Sequence, residues 1–388
     1  MASARMLEGI RVLDFSQNLP GPYATFLLAG WGAEVVKVEP PKGDPARGLE
    51  PFFTMVNRGK KSVVLDLRDE ASRPALEALV RWADVLVDGF RPGVMTRLGC
   101  DWERAHALNP RLVYISISAF GQDGPLREHP GHDLNLQAMA GVCHLERDDG
   151  DRPRGAMLPV ADLSTSLAAV GSITAALLAR ERDGEGRYLD VAMADSVLSW
   201  ANLWGLGIDF AGQAESRLAG GGPVAHVLTR PLVRHLERLK LYAMPQYGVY
   251  ECKGGGHLSL GVVDEKHFWK ALCEVLDLGP MARLPMQSLV AVGPVVRPLI
   301  ARRLRADTAE RWNEKLREAG VPAWPVRTPA EAAAEPQVIA RGLADARGWI
   351  GSPLPSAITL DAPAPKRGEH TEAILRGLGV ATQASAEA

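Results

Sequence analysis

Residues 10–39 read IRVLDFSQNLPGPYATFLLAGWGAEVVKVE and contain the first strand–helix–strand unit of the chain. The apolar residues 10–15 predict a strand, and Pro20-Gly21-Pro22 marks the turn into a helix that reaches about Trp31. A second strand is predicted at 35–38. Because two strands joined by a crossover helix run parallel, this stretch predicts a parallel sheet.

The same alternation continues beyond residue 39. Further strands are predicted at 62–67, 85–87, 112–117 and 188–191, with helices at 71–82, from 163 to about Arg182, and from 192 to about 206. Strands alternating with helices predict an α/β fold in which helices cover both faces of the sheet. A ligand of such a sheet binds at the carboxyl ends of the strands, where the loops 16–22, 39–48 and 89–93 lie.

The pattern changes after residue 210. Residues 242–262 predict a β-hairpin with a glycine turn, and helices are predicted at 266–276 and 307–319. At 388 residues the chain exceeds what one hydrophobic core usually serves. We therefore expect a large domain that begins with 1–210, a small α+β domain with its linkers at 211–325, and a return of 326–388 to the large domain.

Composition excludes several classes of protein. A formal charge of −2 provides no basic field for nucleic acid. Residues 1–9 lack the apolar core of a signal peptide, and the longest apolar stretch, 197–210, is too short and too polar to span a membrane. The four cysteines form no CxxC pair, which predicts free thiols in a reducing compartment. We expect a cytoplasmic protein that binds neither nucleic acid nor membrane.

Asp162 stands where the apolar residues 157–160 give way to the helix that starts near 163. A carboxylate at a helix start accepts backbone N–H bonds and is favoured by the helix dipole. We therefore expect Asp162 to cap this helix and to stay ionised at neutral pH. The position alone indicates an ordinary N-cap, because Asp is common there. No GxGxxG or GxxxxGK[ST] motif is present, which weakens a nicotinamide or ATP function.

A series of motifs, in this order and spacing, resembles the class III CoA-transferases, a family that also contains the α-methylacyl-CoA racemases. The motifs are LEGIRVLDFSQNLPGPYAT at 7–25, GAEVVKVEPP at 32–41, NRGKKSVVLDLR at 57–68, ADVLVDGFRPGVMTRLG at 83–99, NPRLVYISISAFGQDGP at 109–125, PGHDLN at 130–135, VADLS at 160–164 and GRYLDVAMADS at 186–196. The resemblance implies a Rossmann-like large domain, a small domain, and a homodimer of two interlocked rings. Its active sites would lie between the large domain of one subunit and the small domain of the other.

The resemblance also implies a coenzyme A thioester as the substrate, with no permanently bound cofactor and no metal. Its implied groove comprises Leu19, Pro20, Leu65, Asp66, Leu67, Arg68, Gly89, Phe90, Arg91, Arg97 and Asp133, with Lys37 and Lys60 as phosphate contacts. Arg91 and Arg97 can bind phosphate through paired N–H donors, although a solvated surface position is equally expected for each cation alone. Pro40 departs from the family, since many relatives have a basic residue there.

Two reactions fit the resemblance. In the transferases, the residue that matches Asp162 attacks the acyl thioester to give a mixed anhydride and later holds CoA as an aspartyl thioester. In the racemases it exchanges the proton next to the thioester carbonyl, with a histidine as the opposing base. Both reactions need negative charge on the thioester oxygen to be stabilised, for which the backbone donors of the first helical turn are candidates.

His132 stands in the Gly-His-Asp sequence typical of the racemases. The main prediction is therefore a 2-methylacyl-CoA racemase or epimerase that uses His132 and Asp162. The alternative is a CoA-transferase that moves CoA between an acyl-CoA and a free carboxylic acid through Asp162. A non-catalytic CoA-binding subunit is a third possibility, and capping of a helix near Leu134 would explain His132 and Asp133 without catalysis.

Three departures from the racemase pattern remain. Asp264 and Glu265 compete for the role of the acidic residue that holds the histidine. Leu158 occupies the position of a racemase active-site asparagine, and a basic stretch at 223–245 replaces a glycine-rich segment. The last change indicates either an acyl group unlike a plain branched chain or a transferase.

Overall fold

The computed structural model describes residues 5–146, 152–208, 244–344, 348, 350–351, 353 and 363–380. The chain divides into two units. The first comprises Met1–Leu203 with Ala333–Ala388, and the second comprises Trp204–Ala332. The sequence-based expectation had placed these divisions after residues 210 and 325. Residues 209–243, which contain most of the basic stretch 223–245, lie outside the described part.

The first unit is built on a six-stranded parallel sheet, as predicted. Its strands are β1 Arg11–Asp14, β2 Glu34–Glu39, β3 Lys61–Val64, β4 Val85–Asp88, β5 Val113–Ser118 and β6 Arg187–Ala192. Their spatial order is β3-β2-β1-β4-β5-β6, and Leu13 of β1 pairs with Val36 of β2 and Leu86 of β4. The chain winds outward from β1 in one direction and from β4 in the other. We therefore expect a ligand crevice where β1 and β4 end.

Helices cover both faces of this sheet. They are α1 Pro20–Gly30, α2 Phe52–Asn57, α3 Arg73–Trp82, α4 Val94–Arg97, α5 Trp102–Leu108, α6 Asp133–Met139, α7 Val142–Leu145, α8 Val160–Asp183 and α9 Met193–Ile208. One core packs α1 and α8 against the sheet, and a second core on the opposite face includes α3. Each fully buried leucine, such as Leu27 or Leu79, contributes roughly 2 kcal/mol to folding.

Helix α8 is long and apolar enough to cross a membrane by length and composition, but half of that stretch is buried inside the protein. An apolar helix that packs in the core of a globular protein has the same length and composition. It packs on α1, and Ser166 Oγ donates to Pro20 O at 2.8 Å. This contact ties the start of α8 to the start of α1, and so to the loop that follows β1.

The second unit contains an antiparallel sheet with the order β7-β8-β9, formed by β7 Tyr247–Glu251, β8 His257–Gly261 and β9 Ala323–Pro325. Its helices are α10 Lys266–Val275, α11 Leu289–Leu304, α12 Ala309–Glu318 and α13 Pro329–Ala333, the last of which ends at the boundary with the first unit. The predicted hairpin, α10 and α12 are present. The sequence pattern did not predict α11, whose interior contains Pro294 and Pro298.

The C-terminal part of the first unit contains α14 Pro336–Ala340 and α15 Thr371–Gly377. Residues just before and within α15 bond to the edge strand β3. His370 N donates to Ser62 O at 2.9 Å, Gly368 N donates to Ser62 Oγ at 2.9 Å, and Val64 N donates to Thr371 Oγ1 at 3.0 Å. These bonds satisfy strand groups that would otherwise face an open sheet edge.

Candidate active site

The loops after β1 and β4 meet at the carboxyl edge of the sheet. A Cβ atom at Gly21 would lie 2.2 Å from Ser16 Cβ, and one at Gly89 would lie 3.3 Å from the same atom. A side chain at Gly21 would therefore clash with Ser16 inside the first loop, and one at Gly89 would press the second loop against the first. An aspartate fixes each loop: Asp14 accepts from Ser16 N at 2.9 Å, and Asp88 accepts from Phe90 N at 3.0 Å.

The two aspartates differ in their electrostatic surroundings. Burial raises the pKa of Asp88 to about 6, against the opposing bonds from Ser116 Oγ and Phe90 N. Burial would also raise the pKa of Asp14, but the ammonium groups of Lys60 and Lys37, together with the hydroxyl bonds from Ser16 and Thr25, outweigh it and lower that pKa to about 2. The loop after β1 is therefore held by Asp14, whose charge is paired with lysines. The loop after β4 is held by Asp88, whose protonated form is favoured by burial.

Lys37 and Lys60 are not the phosphate contacts that the resemblance implied. Lys37 Nζ lies 2.8 Å from Asp44 Oδ2, and Lys60 Nζ lies 3.1 Å from Asp14 Oδ2, with all four side chains buried. Lys60 Nζ also donates to Thr25 Oγ1 at 2.8 Å, and burial lowers its pKa to about 8. These ammonium groups are used inside the fold and are not presented to a ligand. Sequence reasoning missed this because lysine is rarely fully buried.

The other residues of the implied groove are placed differently. Leu65 is buried in the core, which corrects its assignment to the groove surface. Asp66 and Gly89 are exposed, and Leu19, Pro20, Leu67 and Phe90 are half-buried. Arg68, Arg91 and Arg97 are exposed, and none of them forms an ion pair with another described residue. These three guanidinium groups are free to bind phosphate, and the CoA groove itself stays a prediction.

Asp162 lies in the first turn of α8, but it is not the N-cap. That position belongs to Pro159. The capping carboxylate comes from Asp133 on α6, whose Oδ1 accepts from Ala161 N at 2.7 Å and from Asp162 N at 3.2 Å. Asp133, which the resemblance placed in the CoA groove, is therefore used to hold the start of α8.

The amide groups of this first turn are all engaged. Beyond the two bonds to Asp133, Val160 N donates to Leu158 O at 2.8 Å and Leu163 N donates to Pro159 O at 2.9 Å. The backbone donors that we expected to stabilise a thioester oxygen are thus occupied in this structure. The Asp162 carboxylate, by contrast, forms no hydrogen bond or ion pair with another described residue, and its side chain is half-buried.

The environment of Asp162 favours its protonated form. Burial, followed by the charge of Asp133, raises the pKa of Asp162 to about 7. We expected an N-cap that stays ionised at neutral pH, but Asp133 occupies the capping amides, and burial together with the Asp133 charge leaves Asp162 only partly ionised at that pH. With a pKa near 7, the group exchanges protons readily near neutral pH and is ionised at moderately alkaline pH.

The segment before α8 is braced by Gln137, which is fully buried on α6. Its side-chain oxygen accepts from Ala156 N at 2.8 Å, and its side-chain nitrogen donates to Leu158 O at 3.4 Å. Helix α6 thus holds both the segment 156–158 and the first turn of α8. Sequence reasoning missed Gln137, because its role depends on contacts with residues distant along the chain.

His132 is the N-cap residue of α6, which begins one residue earlier than expected. Its backbone N–H donates to Asn135 Oδ1 at 3.1 Å, and its side chain is exposed. Asp264 and Glu265 lie in the second unit, where Glu265 accepts from Val263 N at 3.0 Å and from Asp264 N at 3.2 Å. Support of His132 by either acidic residue stays a prediction.

Replacing Asp133 tests its two roles separately. Asp133→Asn keeps an oxygen for Ala161 N and Asp162 N but removes the charge, so the pKa of Asp162 is expected to fall. Asp133→Ala leaves both amides unpaired and is expected to cost about 1–2 kcal/mol of stability. Carbon-13 NMR of the Asp162 carboxyl group measures the titration, and thermal unfolding measures the stability. A midpoint in Asp133→Asn at or above that of the wild type would contradict the electrostatic role.

The chain was compared with known proteins. The sequence profile described as CoA-transferase family III matches residues 7–371. An acetyl-CoA:oxalate CoA-transferase from Acetobacter aceti is 33% identical over 359 residues, covering 89% of this chain and 87% of the relative. A succinate–glutarate CoA-transferase from Agrobacterium fabrum is 31% identical, covering 96% and 95%. The crystal structure of a CaiB/BaiF family protein from Brucella suis superposes with a TM-score of 0.77 at 30% identity, covering 96% and 99%.

Proposed function

The chain belongs to CoA-transferase family III, and we propose that it moves CoA between an acyl-CoA and a free carboxylic acid with Asp162 as the nucleophile. The observation that carries this proposal is the placement of Asp162. Its backbone is fixed by Asp133, while its carboxylate is half-buried and unengaged by other described residues. A carboxylate held in this way is available to attack a thioester.

The proposed reaction passes CoA through Asp162. A carboxylate oxygen of Asp162 attacks the thioester carbonyl. The C–S bond breaks, CoA thiolate is released, and a mixed anhydride of Asp162 and the acyl group is formed. The thiolate then attacks the Asp162 carbonyl carbon, which releases the first acid as its carboxylate and forms an aspartyl-CoA thioester. The acceptor carboxylate attacks that thioester and releases CoA thiolate, which gives a second mixed anhydride. The thiolate then attacks the carbonyl of the acceptor acid in this anhydride, which forms the new acyl-CoA and restores the Asp162 carboxylate.

A racemase is the second candidate, and it was the main prediction from the sequence. The named relatives are CoA-transferases and support the transferase better. What favours a racemase is an exposed His132 together with a carboxyl group whose pKa is about 7, since such a group both takes up and returns a proton near neutral pH. The two reactions differ in what is exchanged, so one incubation separates them.

The test uses 2-methylbutanoyl-CoA of one configuration with isotope-labelled 2-methylbutanoic acid in heavy water. A transferase places the label in the CoA thioester and leaves the proton at C2 in place, which is the expected result. His132→Ala is the matched variant and should keep label exchange within about tenfold of the wild type, because the proposed route uses no opposing base. Deuterium at C2 without label exchange would contradict the proposal and support the racemase.

We also propose that the chain acts as a homodimer, as the resemblance implies. Large apolar side chains are exposed on α8 and α9, namely Leu167, Leu178, Leu198, Trp200 and Leu203. Exposed apolar surface of this kind supports an interface between subunits. Sedimentation equilibrium is expected to give twice the mass of one chain, and the mass of a single chain would refute the dimer.

A further inference from the structure

Three large apolar side chains beside Asp162 face solvent. Met157 is 95% exposed, Leu158 is 67% exposed and Leu134 is 59% exposed. Leu134 lies beside the segment that carries the other two, because a Cβ atom at Gly155 would lie 2.5 Å from Leu134 Cδ1 and Gln137 of the same helix donates to Leu158 O. We call Leu134, Met157 and Leu158 the apolar rim. A single exposed leucine is ordinary, but three adjacent apolar side chains indicate a surface that binds something apolar.

The apolar rim is fixed to the element that carries the nucleophile. Gln137 bonds to Ala156 N and Leu158 O, and Asp133, one residue before Leu134, bonds to Asp162 N. Leu158 precedes the first residue of α8 by two positions, and Asp162 is the third residue of that helix. Helix α6 therefore holds both the backbone of the rim segment and that of Asp162.

The charges around Asp162 disfavour the binding of an acyl group that carries its own carboxylate. The negative charge of Asp133 acts on Asp162, since the Asp133 carboxylate accepts from Asp162 N at 3.2 Å. An acyl group that ends in a carboxylate would thus approach two acidic residues and three apolar side chains, with no cation among these contacts.

We infer that the acyl-CoA substrate carries an uncharged, apolar acyl group that lies against Leu134, Met157 and Leu158. This inference rests on the proposed function, because it takes Asp162 as the reacting group. This substrate class differs from the acids in the names of the two relatives described above, which are oxalate, succinate and glutarate. Met157 suits branched and linear chains alike, since an unbranched thioether side chain adapts to several shapes.

The test compares isobutyryl-CoA and benzoyl-CoA with succinyl-CoA and glutaryl-CoA, each with its own labelled acid as the acceptor. The wild type is expected to show at least a tenfold higher kcat/KM for the apolar pair. Leu158→Arg should lower kcat/KM for the apolar pair by about tenfold or more and raise it for succinyl-CoA. Ile339→Arg is the matched control, because Ile339 is 59% exposed on α14, which carries none of the residues proposed for the site or for the subunit interface. It should leave the preference unchanged.

The outcomes separate this inference from the proposed function. Label exchange with any of the four thioesters supports the proposed function, whichever pair is preferred. Equal or better use of succinyl-CoA and glutaryl-CoA would overturn the inference alone. A Leu158→Arg variant that changes the sedimenting mass but not the substrate preference would also overturn it, because the rim would then be a contact between subunits. Absence of exchange with all four, with Asp162 unmodified, would overturn both.

Discussion

Asp162→Asn is expected to abolish CoA transfer and to make the folded protein more stable above neutral pH. The amide keeps the size of the side chain but cannot act as the nucleophile, so the rate should fall by more than about 10³-fold. Acyl-CoA binding should change little, since the substitution removes neither an exposed arginine nor the apolar rim. Label exchange measures the rate, and equilibrium binding of a non-reactive acyl-CoA thioether measures the affinity.

The stability gain follows from the raised pKa. The ordinary pKa of an aspartate is 3.8, and that of folded Asp162 is about 7. Because the folded state holds the proton more tightly than the unfolded state, Asp162 costs stability as the pH rises through this interval, and the cost is constant above it. A difference of one in pKa between the folded and unfolded states corresponds to about 1.4 kcal/mol. The variant should therefore gain a few kcal/mol at most at pH values above about 8 and nothing below about 3.

A surface aspartate provides the control for both measurements. Asp195 is exposed in the first turn of α9, so Asp195→Asn alters a carboxylate in a similar local position without touching the site. It should leave the rate within about twofold and the melting temperature nearly unchanged at all pH values. An Asp162→Asn variant that kept more than a tenth of the wild-type rate would contradict a nucleophilic role.

Lys60→Met is expected to produce the largest loss of stability. It removes the ammonium group from Asp14, a buried carboxylate whose pKa is lowered to about 2 by its cations. Breaking a buried pair from one side costs about 3–5 kcal/mol, because the remaining charge is left without compensation. Differential scanning calorimetry should show the first unit melting roughly 10 °C lower than in the wild type.

A neighbouring lysine and a double variant make this prediction specific. Lys61 pairs with Glu34 on the surface, where both side chains are more than two-fifths exposed, so Lys61→Met should cost less than about 1 kcal/mol. Adding Asp14→Asn to Lys60→Met removes the uncompensated charge and should recover part of the lost stability. If Lys60→Met and Lys61→Met were equally stable, the buried pair would not support the fold.

The strands of the large sheet could be predicted because their signals are local. Alternation of apolar runs with helices set the α/β class, and Pro20-Gly21-Pro22 marked the start of α1. Helix α11 was missed because Pro294 and Pro298 argue against a helix interior. Its apolar positions Leu289, Val296, Ile300 and Leu304 are nevertheless almost completely buried, so packing outweighs the missing backbone bonds.

The sequence-based assignment of roles in the candidate site failed where a role depends on contacts between distant residues. The family resemblance singled out Asp162, whereas its raised pKa depends on burial and on Asp133, and the capping of its helix depends on Asp133 of another helix. Lys37 and Lys60 were assigned to phosphate because a sequence does not show which cations are buried beside carboxylates. Both corrections concern contacts between residues distant along the chain, which local patterns do not encode.

The central claim is that Asp162 becomes covalently attached to CoA during turnover. The most direct measurement is peptide mass spectrometry after incubation with isobutyryl-CoA and quenching with hydroxylamine, which cleaves the aspartyl thioester and leaves a hydroxamate. The account predicts this mass change on the peptide that contains Asp162 and not in Asp162→Asn. An unmodified Asp162 peptide from enzyme that still exchanges label into the thioester would contradict it.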